Sequence, residues 1–311
     1  MANKLIYPFI NPVQIFSTDP DFDSRYNSKD FEDFDFPETI LPFEQQMNYC
    51  QPWQLNDTMA LQLQSNIGPV NWVLKRCSDD SVVDTLQFDQ LQESVNEPGL
   101  FLYELSAPLS GYEEGCYYVE LQFGVPLVFS LRSGEQNFAT LQEGSILAQY
   151  KNYENREDII FETGFFPTVR FLATKRYVGP KQKATVYEDQ VLNMSALRAI
   201  KYRIWNLVIG GTFGIPDYFA DMIGGIIGCS TLTLDGKYYT VNEGKELEPN
   251  GIDYYPMRGW SIELRERYNR AARIYENDDP IDAAVTVMVN VDSKGFGNSN
   301  SGSQTAVIEV I

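Results

Sequence analysis

Between residues 44 and 150 apolar and polar positions alternate in short runs. In TMALQLQ (58–64), Met59, Leu61 and Leu63 fall on one side of an extended chain and Ala60, Gln62 and Gln64 on the other. A period of two is what a strand with one face in a core requires. The pattern recurs in VNWVLKRC (70–77), LFLYEL (100–105), CYYVELQF (116–123) and PLVFSLRS (126–133), with turn-forming stretches such as LSGYEEG and RSGEQ separating several of them. Strands this short, with few helical stretches between them, predict an antiparallel β-sandwich of immunoglobulin or fibronectin-like size over 44–150.

A second β-rich domain is expected over 151–270. It opens with the strand-like NYENREDIIFETGFFPTVRFLATKRYVGPKQKATVYEDQ and continues into LRAIKYRIWNLVIGG. The pattern then changes period: Ile215, Phe219, Met222, Ile223, Ile226 and Ile227 recur at helical spacing and leave Asp217 and Asp221 on another face, which predicts a short amphipathic helix over 216–227. Pro216 suits its first turn, Asp217 its positive end, and Gly228 its C-terminal cap. Gly224 and Gly225 are read as allowing the helix to approach a sheet closely or to end. STLTLDGKYYTV follows as a hairpin, with Leu232 and Leu234 on one face and Asp235-Gly236 as its two-residue turn. In GWSIELRERY, Trp260, Ile262 and Leu264 are expected inward.

The ends read differently. Residues 1–43 are acidic, broken by proline and studded with phenylalanine, and do not supply a core of their own. They are expected as an extended arm, with Phe31, Phe34 and Phe36 of DFEDFDF anchoring it to its own domain or to another subunit. Residues 271–311 carry two apolar strands, 284–291 and 305–311, around a Gly/Ser/Asn loop. Either they pair within the chain, or they add to the open edge of a neighbour. Val285, Val287, Val289, Val307, Ile308 and Ile311 are the interface candidates there. The fold class is therefore mainly β: two β-sandwich-like domains, the second with a short helix, plus extended N- and C-terminal arms.

Composition narrows the chemistry. The 311 residues contain 43 Asp and Glu against 24 Lys and Arg, a formal charge of -19, which repels a phosphate backbone and disfavours nucleic acid or an anionic membrane as partner. The opening MANKLIYPFINPVQIF, one Lys before an apolar run broken by Pro8 and Pro12, does not read as a secretory signal. With no histidine, Ser-His-Asp, Cys-His and H-E-x-x-H arrangements are excluded. Cys50, Cys77, Cys116 and Cys229 are widely spaced with no C-x-x-C pair, and are expected as buried free thiols. Neither IGGTFG (209–214) nor IGGIIG (223–228) has the form of a phosphate loop, and two aspartates in a short apolar run exclude a bilayer span. Asp19, Asp21 and Asp23 alternate like the start of an EF-hand loop, but Ser24 stands where its turn glycine belongs. No metal, cofactor or catalytic residue is assigned.

ENREDIIFETGFFPTVRF, VYEDQVLNMSALRAIKYRIWNLVIG, GIPDYFADMIGGIIGCSTLTLDGKYYT and GWSIELRERYNRA together resemble tail-associated virion structural proteins of tailed phages and prophages of the Bacteroidota, over roughly residues 44–270. The resemblance implies a non-enzymatic component of the distal tail or baseplate, made in the host cytoplasm and assembled into the virion. It implies a symmetric homo-oligomer in contact with other virion tail proteins. The alternative carried by the residues is a receptor- or glycan-binding module in which Trp53, Trp72, Trp205 or Trp260 stacks against a sugar. A glycosidase using paired carboxylates is a third class, but no spacing in the sequence selects the pair.

Overall fold

The alternating runs become strands whose apolar sides meet in two cores. The computed structural model describes residues 3–17, 34–35, 49–93, 98–156, 158–188, 194–250 and 257–266. Up to residue 139 the strands are β1 (Asn3–Ile6), β2 (Ile15–Ser17), β3 (Phe34–Asp35), β4 (Cys50–Gln54), β5 (Thr58–Ser65) and β6 (Val70–Arg76), then β7 (Val82–Gln87), β8 (Asp89–Glu93), β9 (Phe101–Pro108), β10 (Gly115–Phe123), β11 (Phe129–Ser133) and β12 (Glu135–Ala139). One sheet has the order β3-β1-β5-β9-β8. In the other, β10 is central, with β6 and then β7 on one edge; β11 and β12 follow one another along its other edge and carry β2 and β4 outside them.

These two sheets form the expected sandwich. Met59, Leu61 and Leu63 of β5 meet Trp72 and Leu74 of β6 and Val119 and Leu121 of β10, all buried, with Trp53 and Phe138 beside them. The pairing is not purely antiparallel, because β12 runs parallel to β4 and β1 parallel to β3. A parallel pair needs a long crossover, and β4 and β12 are separated by most of the sandwich sequence.

Residues 3–17 of the segment read as an arm are built into their own domain. β1 pairs with β5 and β2 with β11, and the loop between them, YPFINPVQ, is almost wholly buried. A buried loop is stable only when its polar groups find partners. Here they do: Tyr7 Oη donates to Val13 O (2.5 Å), Asn11 Nδ2 to Gln62 O (2.7 Å), Gln14 Nε2 to Phe9 O (2.8 Å) and Gln51 Nε2 to Pro12 O (2.8 Å).

The second module consists of β13 (Ser145–Lys151), β14 (Thr168–Glu188), β15 (Met194–Ile209), β16 (Ile215–Pro216), the helix α1 (Asp217–Ile227), β17 (Thr231–Leu234), β18 (Lys237–Val241), β19 (Glu248–Asn250) and β20 (Met257–Glu266). Its sheet begins at Ser145. It runs β15-β14-β13-β17-β18-β20, and β20 pairs again with β15, from Arg203↔Glu266 to Ile209↔Trp260. The sheet therefore closes on itself as a six-stranded barrel, which removes its edges and leaves an interior that side chains fill. Tyr150, Phe171, Leu207, Leu234 and Leu264 share that core with Phe219, Met222, Ile223 and Ile226 of α1.

The apolar, glycine-rich stretch is thus scaffold. α1 begins one residue later than expected: Pro216 is its extended N-cap, Asp217 sits in the first turn and pairs with Arg258 at 2.9 Å, and Gly228 caps the end. IGGTFG is a tight turn against β20. At Gly214 (φ +82°) a Cβ would lie 2.7 Å from the Arg258 nitrogen, so only glycine fits. Gly224 is not a point of close approach, since a Cβ there would meet only Leu247, at 4.0 Å. Asp235 (φ 51°) and Gly236 (φ 76°) make the predicted hairpin turn.

Candidate functional site: an assembly surface and a thiol cluster

The two modules meet on the polar side of β5. Sequence alternation reads Gln62 and Gln64 as a solvent face, yet both are buried. For Gln62 the reason is hydrogen bonding, within its own sheet to Glu104 and across the seam to Ile160. Gln62 Nε2 donates to Glu104 Oε1 (2.8 Å) and Ile160 O (3.1 Å), its Oε1 accepts from Ile160 N (2.7 Å), and Thr168 Oγ1 donates to Thr58 O (2.7 Å). Beside them Arg170 of the barrel grips Asp57 of the sandwich through two bonds, Nε–Oδ2 at 2.6 Å and Nη2–Oδ1 at 2.8 Å, with both side chains more than nine-tenths buried. Tyr49 packs against Phe219 of α1 with the rings tilted and 4.7 Å apart, and Phe16 meets Tyr218 edge-on at 5.6 Å.

One element leaves this frame. β14 is held by β13 only as far as Leu172, and β15 by β20 only from Arg203 onward. From Lys181↔Tyr202 to Glu188↔Met194 the two strands pair only with each other among the described residues. At about 3.4 Å per residue that ribbon extends roughly 25 Å beyond the barrel. Its sequence from 181 to 202 carries Lys181, which pairs with Glu263 at its base, and Lys183, Arg198 and Lys201 against Glu188 and Asp189. A basic ribbon thus projects from a strongly acidic chain.

Apolar side chains also stand in solvent at defined places. The β10–β11 turn, expected as part of a strand from residue 126, instead presents Val125, Leu127 and Val128 with 76%, 55% and 53% of their surface exposed. Phe213, at the β15–β16 turn, is 71% exposed. Among the described residues β7 is a sheet edge paired with β6 alone; it exposes Val82 and Val83, and the acidic Asp79, Asp80 and Asp89 flank it. The legible signal for the first of these was the unbroken apolar run VPLV after Gly124.

Of the interface candidates from the sequence, Phe34 lies in β3, opposite Asn3 of β1. Phe31, Phe36, Val285, Val287, Val289, Val307, Ile308 and Ile311 lie outside the described residues, as do the alternating aspartates 19–23. The tryptophans do not form a stacking platform: Trp53 and Trp72 are fully buried, and Trp205 and Trp260 pack against the barrel core, where Trp205 Nε1 donates to Glu266 at 2.8 Å.

Three of the four widely spaced cysteines come together on the sandwich. Cys50 of β4, Cys116 of β10 and Glu135 of β12 place their ligand atoms within 4.8 Å of one another. Cys77, just after β6, donates its backbone N–H to Cys116 O at 3.0 Å, and its thiol contacts that of Cys116. Strand alternation puts Cys116 on the side of β10 opposite Tyr117, and Glu135 on the side of β12 opposite Gln136, so the group sits away from the core. Burial first, then the nearby Cys116 and Glu135, pushes the Cys50 thiol up to about 12; burial likewise raises Cys77 and Cys116. These are protonated thiols at neutral pH, not free thiolate nucleophiles.

No protein-family model matches this chain, and no curated protein matches it. Fold and surface define the class: a β-sandwich locked to a small β-barrel, with a projecting ribbon and exposed apolar turns.

Proposed function

We propose that the chain is a structural subunit of a phage particle, of the distal tail or baseplate, that assembles with copies of itself and with other tail proteins into a symmetric oligomer. The observation that carries this reading is the two-stranded ribbon of β14 and β15. An isolated two-stranded ribbon is marginally stable in water, so one this long implies a surface that covers it. The ribbon is basic, and the β7 edge, with exposed Val82 and Val83 at its start and Asp79, Asp80 and Asp89 around it, has the complementary chemistry. Ribbon on one copy and edge on the next make a head-to-tail contact, which closes into a ring when the rotation permits. The segments quoted above, with their resemblance to tail-associated proteins, support the same reading from the sequence.

Light scattering on the full chain across a concentration series tests it, beside a variant in which residues 181–202 are replaced by Asn-Gly. Pro180 and Arg203 are register partners, so the replacement shortens the ribbon without moving the barrel. The expected result is a defined oligomer that the shortened chain cannot form. A full chain that stays monomeric at every concentration, alone and in isolated particles, overturns the proposal.

A further inference from the structure

The geometry points to a zinc-type metal site on the outer side of the sandwich, with Cys50, Cys116 and Glu135 as ligands and Cys77 as the fourth. Two thiols and a carboxylate from three different strands converge within 4.8 Å. In a tetrahedral site with metal–sulfur bonds of about 2.3 Å, sulfur ligands stand about 3.8 Å apart. Small side-chain rotations therefore draw Cys50, Cys116 and Glu135 to bonding distance, while Cys77, beside Cys116 but outside that 4.8 Å group, swings further to complete the sphere.

The backbone fixes the convergence. Glu135 is the register partner of Cys50 in the parallel β4–β12 pair, and β12 joins β10 through Cys116↔Asn137. Cys77 is tied to Cys116 through its backbone N–H. Without a cation, the anionic forms of four such neighbours repel one another; a dication between them turns that repulsion into ligation. Thiolate-rich sets of this kind select soft or borderline d10 ions such as Zn²⁺ over Mg²⁺ or Ca²⁺. Four protein ligands close the coordination sphere, so the ion's role is structural: it staples β4, β10, β12 and the end of β6.

The sequence hides this site because its ligands lie far apart along the chain. The usual zinc signal is a close C-x-x-C pair, and here a sheet does the gathering.

The test uses the full chain, reduced and stripped with chelator, titrated with Co²⁺ and then with Zn²⁺. Expected are one equivalent of Co²⁺ per chain, visible bands of a tetrahedral ion, near-ultraviolet thiolate-to-metal absorption, and displacement of both signals by Zn²⁺. Cys116→Ser and Glu135→Gln should each weaken binding by at least about ten-fold, while Cys229→Ser, a buried thiol of the barrel, should bind as the parent does. Glu135 is exposed, so its variant keeps the fold, and circular dichroism checks this for both. Zn²⁺ should also raise the melting temperature of the parent more than that of Cys116→Ser at the same concentration. Absence of stoichiometric uptake, or equal affinity in the parent, Cys116→Ser and Glu135→Gln, overturns the assignment.

Discussion

Asp57 and Arg170 carry the most demanding interaction at the scale of single residues. Each is a charge taken out of water, and the pair is tolerable because its bonds are nearly all made: the guanidinium forks onto both carboxylate oxygens, Asp57 Oδ2 also accepts from Gln54 N at 2.8 Å, and Arg170 Nη1 donates to Ser145 Oγ at 3.0 Å. Removing one partner strands the other charge in the seam. Asp57→Ala or Arg170→Ala should each cost about 3–5 kcal/mol in urea unfolding. The double variant leaves no stranded charge and should cost less than the two single losses combined. Strict additivity in that cycle would mean that the pair is not a functioning contact.

The helix is the element through which the barrel core is completed. Ile223 is fully buried in it among barrel side chains, and Ile223→Ala should cost about 2–5 kcal/mol, read by denaturant unfolding; a loss below about 1 kcal/mol would mean that α1 is peripheral. This helix was legible in the sequence because its apolar residues keep one period for three turns and because Asp217 and Gly228 mark its ends. The strands of the sandwich core were legible for the same reason, Met59, Leu61 and Leu63 being the clearest case. What could not be read depends on pairing over distance. Gln62 looks like a solvent position until the barrel lies against it. Barrel closure depends on β20 meeting both β15 and β18, which no local pattern encodes. Tyr7, Ile10 and Val13 sit around Pro8 and Pro12 with no strand period, so only the finished fold reveals them as core. The thiol cluster and the apolar β10–β11 turn belong to the same class, since Cys50, Cys77, Cys116 and Glu135 are gathered by register and Val125 is exposed by a turn that begins at Gly124, before β11 starts at Phe129.

Across the whole molecule the seam ties the sandwich and the barrel into one unit up to Tyr268, and tyrosines make much of that tie. Tyr7 lies in the buried N-terminal loop, Tyr49 packs against α1, Tyr150 donates to Ile10 O across the seam, and Tyr239 lines the barrel. Burial raises the pKa of Tyr7 and holds that of Tyr49 well above the usual phenol range; it pushes Tyr239 up to about 12, with the charges of Glu266 and Asp235 adding to the effect. An unfolded tyrosine loses its proton near pH 10. Above that pH the unfolded chain has released protons that the native state still holds, so stability falls as pH rises from about 10 toward 12 and beyond. Below pH 10 both states keep these protons and their contribution to stability is constant. Because the affected phenols sit in both modules and in the seam between them, the modules should be lost together. Phenolate absorbance followed against pH should rise in two phases, the second coinciding with a single cooperative loss of far-ultraviolet dichroism. One reversible phase with the dichroism intact would show that the seam tyrosines are open to water, and two separate dichroism steps would show that the modules unfold independently.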